Sequence, residues 1–155
     1  MSPINIVFVC TGNTCRSPMA EVMASRIFAE AGLAVRVSSA GVSAYCGQPA
    51  SRHAVSVMED CGLCLLSHKA ALVTKSMLAA AQFVLTMTGS HREVLVSGYP
   101  EAKGKVFTLA EYTGGNGNVA DPYGGSVDDY RECAAQIREL LVIATAKLKQ
   151  WNKNQ

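Results

Sequence analysis

Cysteine and arginine side chains share one short segment, Cys10 to Pro18, which reads Cys-Thr-Gly-Asn-Thr-Cys-Arg-Ser-Pro. The segment follows an apolar run typical of a buried strand and precedes a helical pattern of apolar residues. A cysteine between the carboxyl end of a strand and a helix N-terminus meets unpaired backbone N–H groups and a partial positive charge, which both favour the thiolate. We therefore predict that Cys10 is a nucleophile, although a lone cysteine at this position would more simply be a buried strand residue.

The same segment suits a tetrahedral oxyanion such as phosphate. Gly12 and Asn13 tolerate a positive φ, so a loop that curls around an anion is accessible to the backbone. Arg16 lies six positions after Cys10, and its guanidinium can bind two phosphate oxygens in bidentate fashion. Ser17 is a helix-cap residue whose hydroxyl can also donate to the sulfur. The predicted phosphate-binding loop comprises, besides Cys10 and Arg16, the residues Thr11, Gly12, Asn13, Thr14, Cys15 and Ser17.

A nucleophile that accepts a phosphoryl group needs a partner that protonates the leaving atom, and Asp121 is the candidate. It follows the Gly/Asn-rich segment Thr113 to Ala120, which we expect to be an exposed loop. Pro122 holds Asp121 extended, and the ring of Tyr123 can form a wall of the pocket. From the spacing alone, an aspartate in an ordinary turn is an equal interpretation.

Alternating strand and helix patterns predict an open α/β sheet as the scaffold for these residues. The predicted strands are Ile4 to Cys10, Leu33 to Ala40, Gln82 to Met87 and Lys105 to Leu109. Five helices are predicted. The first contains Met19 to Phe28 and stops at Gly32, and the second ends at Gly62. The third spans Met77 to Ala81, the fourth spans His91 to Ser97, and the fifth runs from the N-cap Ser126 to about Gln150. Ligands of such sheets bind beyond the carboxyl ends of the strands, which here means the first strand–helix loop.

Composition limits the remaining classes of function. With 155 residues, 49% of them hydrophobic and 17% charged, the chain is expected to form one globular domain over residues 1–155. Its apolar runs fall far short of the ~20 residues of a membrane span, and no signal-peptide pattern opens it. A net charge of +2 does not predict a nucleic-acid surface. We expect a cytoplasmic monomer without nucleic-acid or membrane partners.

The six cysteines are expected to be reduced in that compartment. Cys61 and Cys64 lack the second cysteine pair of a zinc site, and His53, His68 and His91 lack metal-ligand spacing. The chain also lacks a glycine-rich nucleotide-binding motif. We therefore expect neither a metal nor a cofactor.

The loop Cys10 to Pro18, together with Asp121-Pro122-Tyr123, resembles the low-molecular-weight protein tyrosine phosphatase family over essentially the whole chain. The resemblance implies a three-layer α/β/α fold with a four-stranded parallel sheet and no metal. It implies a cysteinyl-phosphate intermediate on Cys10, with Arg16 as phosphate clamp and Asp121 as general acid and then base. Phosphorylated proteins are the implied substrates, and inorganic phosphate is the product.

The resemblance also assigns supporting roles. A hydrogen-bond network that braces the loop is implied for Asn13, Ser17, Ser39 and His68. A surface position is the alternative for His68. The resemblance further implies Cys15 as a redox partner of Cys10, the alternative being a buried inert thiol.

Substrate choice depends on Thr14 and Gly124, which stand where tyrosine-directed members usually carry an aliphatic residue and a second aromatic. This combination is similar to the bacterial protein-arginine phosphatases of the family. A polar wall with less aromatic surface suits a guanidinium better than a phenyl ring, so phosphoarginine is the predicted substrate. Tyr45 lies where the family often has a pocket-entrance aromatic, which keeps phosphotyrosine as the alternative.

Two more remote alternatives belong to other classes of protein. Arsenate reductases use a similar loop but need resolving cysteines in the later half of the chain, where Cys133 lies at helical spacing. A non-catalytic anion-binding module would need neither Cys10 nor Asp121.

Overall fold

The computed structural model of the chain describes residues 3–155, so Met1 and Ser2 of the expected domain lie outside the described residues. Four parallel strands form one sheet in the order β2-β1-β3-β4. The strands are β1 (Ile4–Cys10), β2 (Val35–Gly41), β3 (Phe83–Thr86) and β4 (Val106–Thr108). This confirms the predicted four-stranded parallel sheet.

Helices connect the strands in alternation. The α-helices are α1 (Arg16–Glu30), α2 (Arg52–Asp60), α3 (Lys75–Ala80), α4 (Gly89–Gly98), α5 (Leu109–Tyr112) and α6 (Val127–Lys153), and a 3₁₀ helix spans Pro100–Lys105. The sequence interpretation missed α5 and the 3₁₀ helix. At the start of α5 the Thr108 side chain accepts a hydrogen bond from the Glu111 backbone, and the Glu111 side chain accepts one from the Thr108 backbone. This is a capping box, which the Thr-x-x-Glu spacing predicts.

Helices cover both faces of the sheet, which explains its continuous apolar strands. Successive side chains of a strand point to opposite faces. Phe8 belongs to the apolar cluster that includes residues of α1 and α6, whereas its neighbours Val7 and Val9 pack in the cluster with Leu78 of α3 and Leu95 of α4. The result is the expected three-layer α/β/α arrangement.

The chain after β1 is held against the end of β2. The carbonyl of Cys10 accepts a hydrogen bond from Val42 at 3.0 Å, and that of Thr11 accepts one from Ser43 at 2.9 Å. At Gly41 the backbones approach so closely that a Cβ atom would lie 2.4 Å from the Thr11 carbonyl oxygen. This contact requires glycine and fixes where the loop leaves the sheet.

The long C-terminal helix α6 begins where the sequence predicts. Ser126 caps it through a hydrogen bond from the Asp129 backbone, and Asp129 reciprocates, which confirms Ser126 as the N-cap. The helix ends at Lys153, slightly beyond the predicted end. Neither α6 nor any other helix within residues 3–155 is long and apolar enough to cross a bilayer.

Candidate active site

Cys10 ends β1 with its side chain almost fully buried. Its sulfur lies 2.9 Å from Oγ of Ser17. Ser17 was expected to cap the following helix, but α1 begins at Arg16, Cys15 occupies the N-cap position, and no side chain caps that end. The Ser17 oxygen accepts a hydrogen bond from Asn13, and its own proton has two acceptors within reach, the Cys10 sulfur and, at the longer distance of 3.4 Å, the carbonyl of Ala40.

Asn13 is the centre of the loop. It is the one non-glycine residue with a positive φ, 56°, among the described residues, and it is fully buried. Its amide nitrogen donates to Ser17 Oγ at 2.8 Å and to Ser39 Oγ at 2.9 Å, while its amide oxygen accepts from the backbone N–H of Ala71 at 2.9 Å. Its carbonyl accepts from Nε2 of His68 at 2.7 Å. These bonds hold a backbone conformation that is otherwise costly.

Ser39 and His68 therefore both contact Asn13, as the family resemblance implies. The hydroxyl of Ser39 continues the chain of hydrogen bonds and donates to Oε1 of Glu21 at 2.6 Å. Glu21 lies on α1 and was not anticipated, because nothing in its local sequence distinguishes it from a surface glutamate.

The side chain of Arg16 is almost fully buried. Its Nη1 donates to the carbonyl of Val119 at 3.1 Å, and its Nη2 lies 3.4 Å from Oδ2 of Asp121. Val119 was expected in an exposed loop, yet it is buried in the main core and its N–H donates to Met87. Because Val119 packs in the core, it holds the chain close enough for Asp121, two residues later, to contact Arg16.

Asp121 and the two tyrosines stand at the mouth of the site. The Asp121 carboxylate accepts a hydrogen bond from the backbone N–H of Tyr123 at 3.1 Å, which fixes the turn after the loop. Tyr45 is 80% exposed and Tyr123 76% exposed, so their rings are free to meet a substrate.

A cavity of about 260 Å³ opens above the loop. It is lined by Cys10, Thr11, Gly12, Thr14, Cys15, Arg16, Ser43, Tyr45, Gln48, Asp121 and Tyr123. Ser43 and Gln48 were not anticipated from the sequence. The signal for Ser43 was available, because it lies two residues after the end of β2, whose carboxyl end lies beside that of β1.

His91 is a further side chain that the sequence interpretation missed. It is buried on α4, with Nε2 2.8 Å from Oγ1 of Thr11 and Nδ1 3.0 Å from Oγ1 of Thr88. Burial lowers the pKa of His91 to about 4. The positive charge of Arg16 also lowers this pKa by a smaller amount, whereas the negative charge of Asp121 raises it. The imidazole is therefore neutral at neutral pH, with one nitrogen donating and the other accepting.

The second cysteine of the loop contacts other elements. Sγ of Cys15 lies 3.2 Å from the hydroxyl of Tyr130 on α6 and donates to Oγ of Ser51 at 3.5 Å. Burial, followed by the bond with Cys15, raises the pKa of Tyr130 to about 12. Burial also raises the pKa of Cys133 to about 12, so the cysteine in the later half of the chain stays a thiol and is a poor resolving group.

Three kinds of chemistry thus meet in one cavity. The thiol of Cys10 is a potential nucleophile, the buried guanidinium of Arg16 a potential anion clamp, and the carboxyl of Asp121 a potential proton donor at the mouth. Together they are the groups that a phosphoryl transfer to sulfur requires. Within residues 3–155, no three or more metal-ligating side chains gather as a cation site.

Comparison with known proteins agrees with this geometry. The family model described as low molecular weight phosphotyrosine protein phosphatase matches residues 5–154. A protein-arginine-phosphatase of Bacillus subtilis (strain 168) is 42% identical, over 94% of this chain and 97% of its own. The low molecular weight protein-tyrosine-phosphatase PtpB of Staphylococcus haemolyticus is 36% identical, over 89% of this chain and 95% of its own.

Among solved structures, one of the YwlE arginine phosphatase, with a phosphorylated active-site serine, superposes with a TM-score of 0.92. It is 41% identical to this chain and the match covers 94% of this chain and 96% of the other. The agreement in fold, length and sequence shows that this chain belongs to the low molecular weight phosphotyrosine protein phosphatase family.

Proposed function

We propose that this phosphatase hydrolyses phosphoarginine side chains of proteins through a cysteinyl-phosphate on Cys10. The observation that carries the proposal is the convergence of Cys10, Arg16 and Asp121 on one cavity with Thr14 in its wall. The names of the relatives that are about 40% identical, protein-arginine-phosphatase and YwlE arginine phosphatase, support the substrate class.

In the first step, the thiolate of Cys10 attacks phosphorus in line with the bond to the arginine nitrogen. Arg16 and the backbone N–H groups of the loop hold the equatorial oxygens and stabilise their charge in the transition state. As the P–N bond breaks, the carboxylic acid of Asp121 gives its proton to the departing guanidine nitrogen. A phosphoryl group remains on sulfur.

In the second step, water attacks the phosphorus of the intermediate, and the S–P bond breaks. Asp121, now a carboxylate, accepts the proton of that water. The hydroxyl of Ser17, 2.9 Å from the sulfur, donates a hydrogen bond to the departing sulfur. Inorganic phosphate leaves, and both side chains return to their starting protonation states.

The pocket wall supports phosphoarginine over phosphotyrosine. Thr14 offers a hydroxyl where an aliphatic side chain would give a phenyl ring apolar contact. Gly124 has a φ of +78°, so an aromatic residue there would be strained as well as bulkier. Phosphotyrosine is the second candidate, favoured by the exposed rings of Tyr45 and Tyr123 at the mouth and by relatives such as PtpB.

We further propose a protective disulfide between Cys10 and Cys15, whose side chains both line the cavity. A peroxide would oxidise Cys10 to a sulfenic acid, and the thiol of Cys15 would then displace water to form the S–S bond. The Cys15 sulfur must first break its contacts with Ser51 and Tyr130, so these contacts slow formation of the disulfide.

Residues 1–155 are proposed to form one phosphatase domain that acts as a monomer in the cytoplasm. A single sheet with both faces covered supports one domain. Sedimentation equilibrium at micromolar concentration should return the mass of one chain, and a dimer mass would contradict the monomer.

Phosphate release from a phosphoarginine peptide tests the proposed function. Cys10→Ser should lose roughly 10⁴-fold or more in kcat, because a serine hydroxyl is a much weaker nucleophile than a thiolate and Asp121 is protonated, as the acid, in the step in which the nucleophile attacks. Cys46→Ser, which alters an exposed cysteine, is the matched control and should keep wild-type activity. Wild-type turnover by Cys10→Ser, or no turnover of this peptide by the wild type, would contradict the proposal.

A further inference from the structure

A second cavity, of about 350 Å³, lies between α1, α2 and α6. It has no lining residue in common with the cavity above the phosphate loop. Its volume is within the range of about 300–1,000 Å³ that is typical of small-molecule sites. The surface inside is mainly apolar and is contributed by Met23, Ile27, Val57, Leu63, Ala134 and Ala135. Nothing in the proposed phosphatase reaction uses it.

Charged side chains line this apolar cavity as well, and their balance is positive. Arg26, Arg131 and Arg138 contribute guanidinium groups, whereas Asp60 contributes the carboxylate. An apolar chamber bordered mostly by cations is complementary to an apolar molecule that ends in an anion.

The three arginines differ in how their charges are compensated. Arg131 pairs with Asp128 at 2.7 Å and with Asp60 at 3.7 Å. Arg26 donates to the backbone carbonyl of Gly62 at 2.9 Å, which orients the guanidinium but leaves its charge in place. Within residues 3–155, Arg138 forms no ion pair. Two of the three charges are therefore available to an incoming anion.

We propose that this cavity is a second binding site, for a small amphiphile with an apolar chain and a terminal carboxylate, such as a medium-chain fatty acid. The chain lies against Met23, Ile27 and Val57, and the carboxylate meets Arg138 at the edge, supported by Arg26. A planar guanidinium suits a carboxylate because it can donate two parallel hydrogen bonds. A cationic amphiphile of the same length is excluded by the same charges.

Decanoate below its micelle concentration is the probe. Because it also carries an anion that the phosphate loop can attract, the titration is made with inorganic phosphate at saturating concentration. In protein carrying ¹³C-methyl methionine, decanoate should shift the methyl signal of Met23, and decyltrimethylammonium should not. The apparent Kd for decanoate should be the same with and without phosphate, since the two cavities share no residue.

Two variants and two matched controls on α6 test the assignment. Arg138→Gln should weaken decanoate binding about fivefold, the order expected of one exposed ion pair. Ala135→Leu, at an exposed position on the cavity wall, should abolish the Met23 shift by filling the space. Lys149→Gln and Ala146→Leu alter exposed residues of the same helix outside the cavity and should keep wild-type affinity. Circular dichroism confirms that each variant is folded.

Several results would overturn the proposal. A Met23 signal that does not move at millimolar decanoate excludes the site, and displacement of decanoate by phosphate assigns the binding to the catalytic pocket. Recognition of the carboxylate is excluded if the wild type binds decyltrimethylammonium as tightly as decanoate. It is also excluded if the Arg138→Gln variant binds decanoate as tightly as the wild type does. These readouts do not depend on turnover, so they stand whether or not the proposed phosphatase reaction is correct.

Discussion

Nη2 of Arg16 lies 3.4 Å from Oδ2 of Asp121, which joins the proposed phosphate clamp directly to the proposed proton donor. The two partners differ in environment, because the Arg16 side chain is 5% exposed and that of Asp121 is 53% exposed. The carboxylate thus closes the outer side of a buried cation. A phosphate group that binds Arg16 meets the negative charge of Asp121 at the same point.

Replacing Asp121 by asparagine should separate binding from catalysis. We expect kcat to fall by about 100-fold to 10,000-fold, the usual contribution of a general acid. The inhibition constant of inorganic phosphate should fall by about threefold to tenfold, since one negative charge beside Arg16 is removed. Steady-state kinetics with phosphate as inhibitor measures both. Asp128→Asn removes an exposed aspartate that pairs with Arg131 and should leave both constants unchanged; equal effects in the two variants would contradict the assigned role.

Asn13 combines an unusual backbone conformation with a fully bonded side chain, and two substitutions separate these contributions. Asn13→Gly keeps access to the positive φ but leaves Ser17 and Ser39 without their donor, so kcat/KM should fall at least about tenfold and the free energy of unfolding by about 2 kcal/mol. Asn13→Ala should be less stable again by about 1 kcal/mol, because alanine resists the left-handed region. Urea unfolding and kinetics measure both. Wild-type kcat/KM in Asn13→Gly would show that the network does not position the loop.

Gly41 tests how closely the loop is held to the end of β2. In Gly41→Ala, the new methyl group would lie 2.4 Å from the Thr11 carbonyl oxygen and 2.9 Å from the Asn13 nitrogen. Since both are backbone atoms of the loop, we expect a loss of about 1–3 kcal/mol in unfolding free energy and a large loss in kcat. Gly98→Ala is the control, because a Cβ atom there would have no atom within 4 Å apart from its chain neighbours and the backbone of its own helix. Similar activity in both variants would contradict the predicted clash.

The buried His91 makes stability depend on pH. Its pKa is lowered from 6.5 to about 4 in the folded protein, so between these values the unfolded chain binds the proton and the folded chain does not. Stability must therefore fall as the pH falls. Between pH 7 and pH 5 the wild type should lose on the order of 2 kcal/mol more unfolding free energy than His91→Gln. Urea titrations at the two pH values test this, and parallel losses in the two proteins would contradict a buried neutral imidazole.

The sequence predicts the sheet and its order of elements well because buried parallel strands are short apolar runs bounded by glycine or polar residues. It also places the nucleophile segment, because Cys10 and Arg16 lie on one continuous loop. The residues alone make Asp121 a candidate proton donor but leave a turn aspartate as an equal interpretation, and the family resemblance favours the catalytic role. The approach of Asp121 to Arg16 depends on the buried Val119, which composition alone assigns to an exposed loop.

Contacts between distant segments could not be predicted in the same way. His91 and Glu21 reach the site only because α4 and α1 are packed beside the loop, and neither has a local pattern that marks it. Ser17 shows the opposite case. It has the residue type of a helix cap, but the sulfur of Cys10 and the amide of Asn13 occupy its hydroxyl instead.

The most direct test of the account is the ratio of kcat/KM for a phosphoarginine peptide to that for a matched phosphotyrosine peptide, measured on the wild type and on Thr14→Ile. We predict a ratio well above one for the wild type. The ratio should reverse in the variant, because an aliphatic wall favours the phenyl ring over the guanidinium. A wild-type ratio below one would contradict the proposed substrate and assign the protein to the tyrosine-directed members of its family, with Thr14 a tolerated residue of the loop.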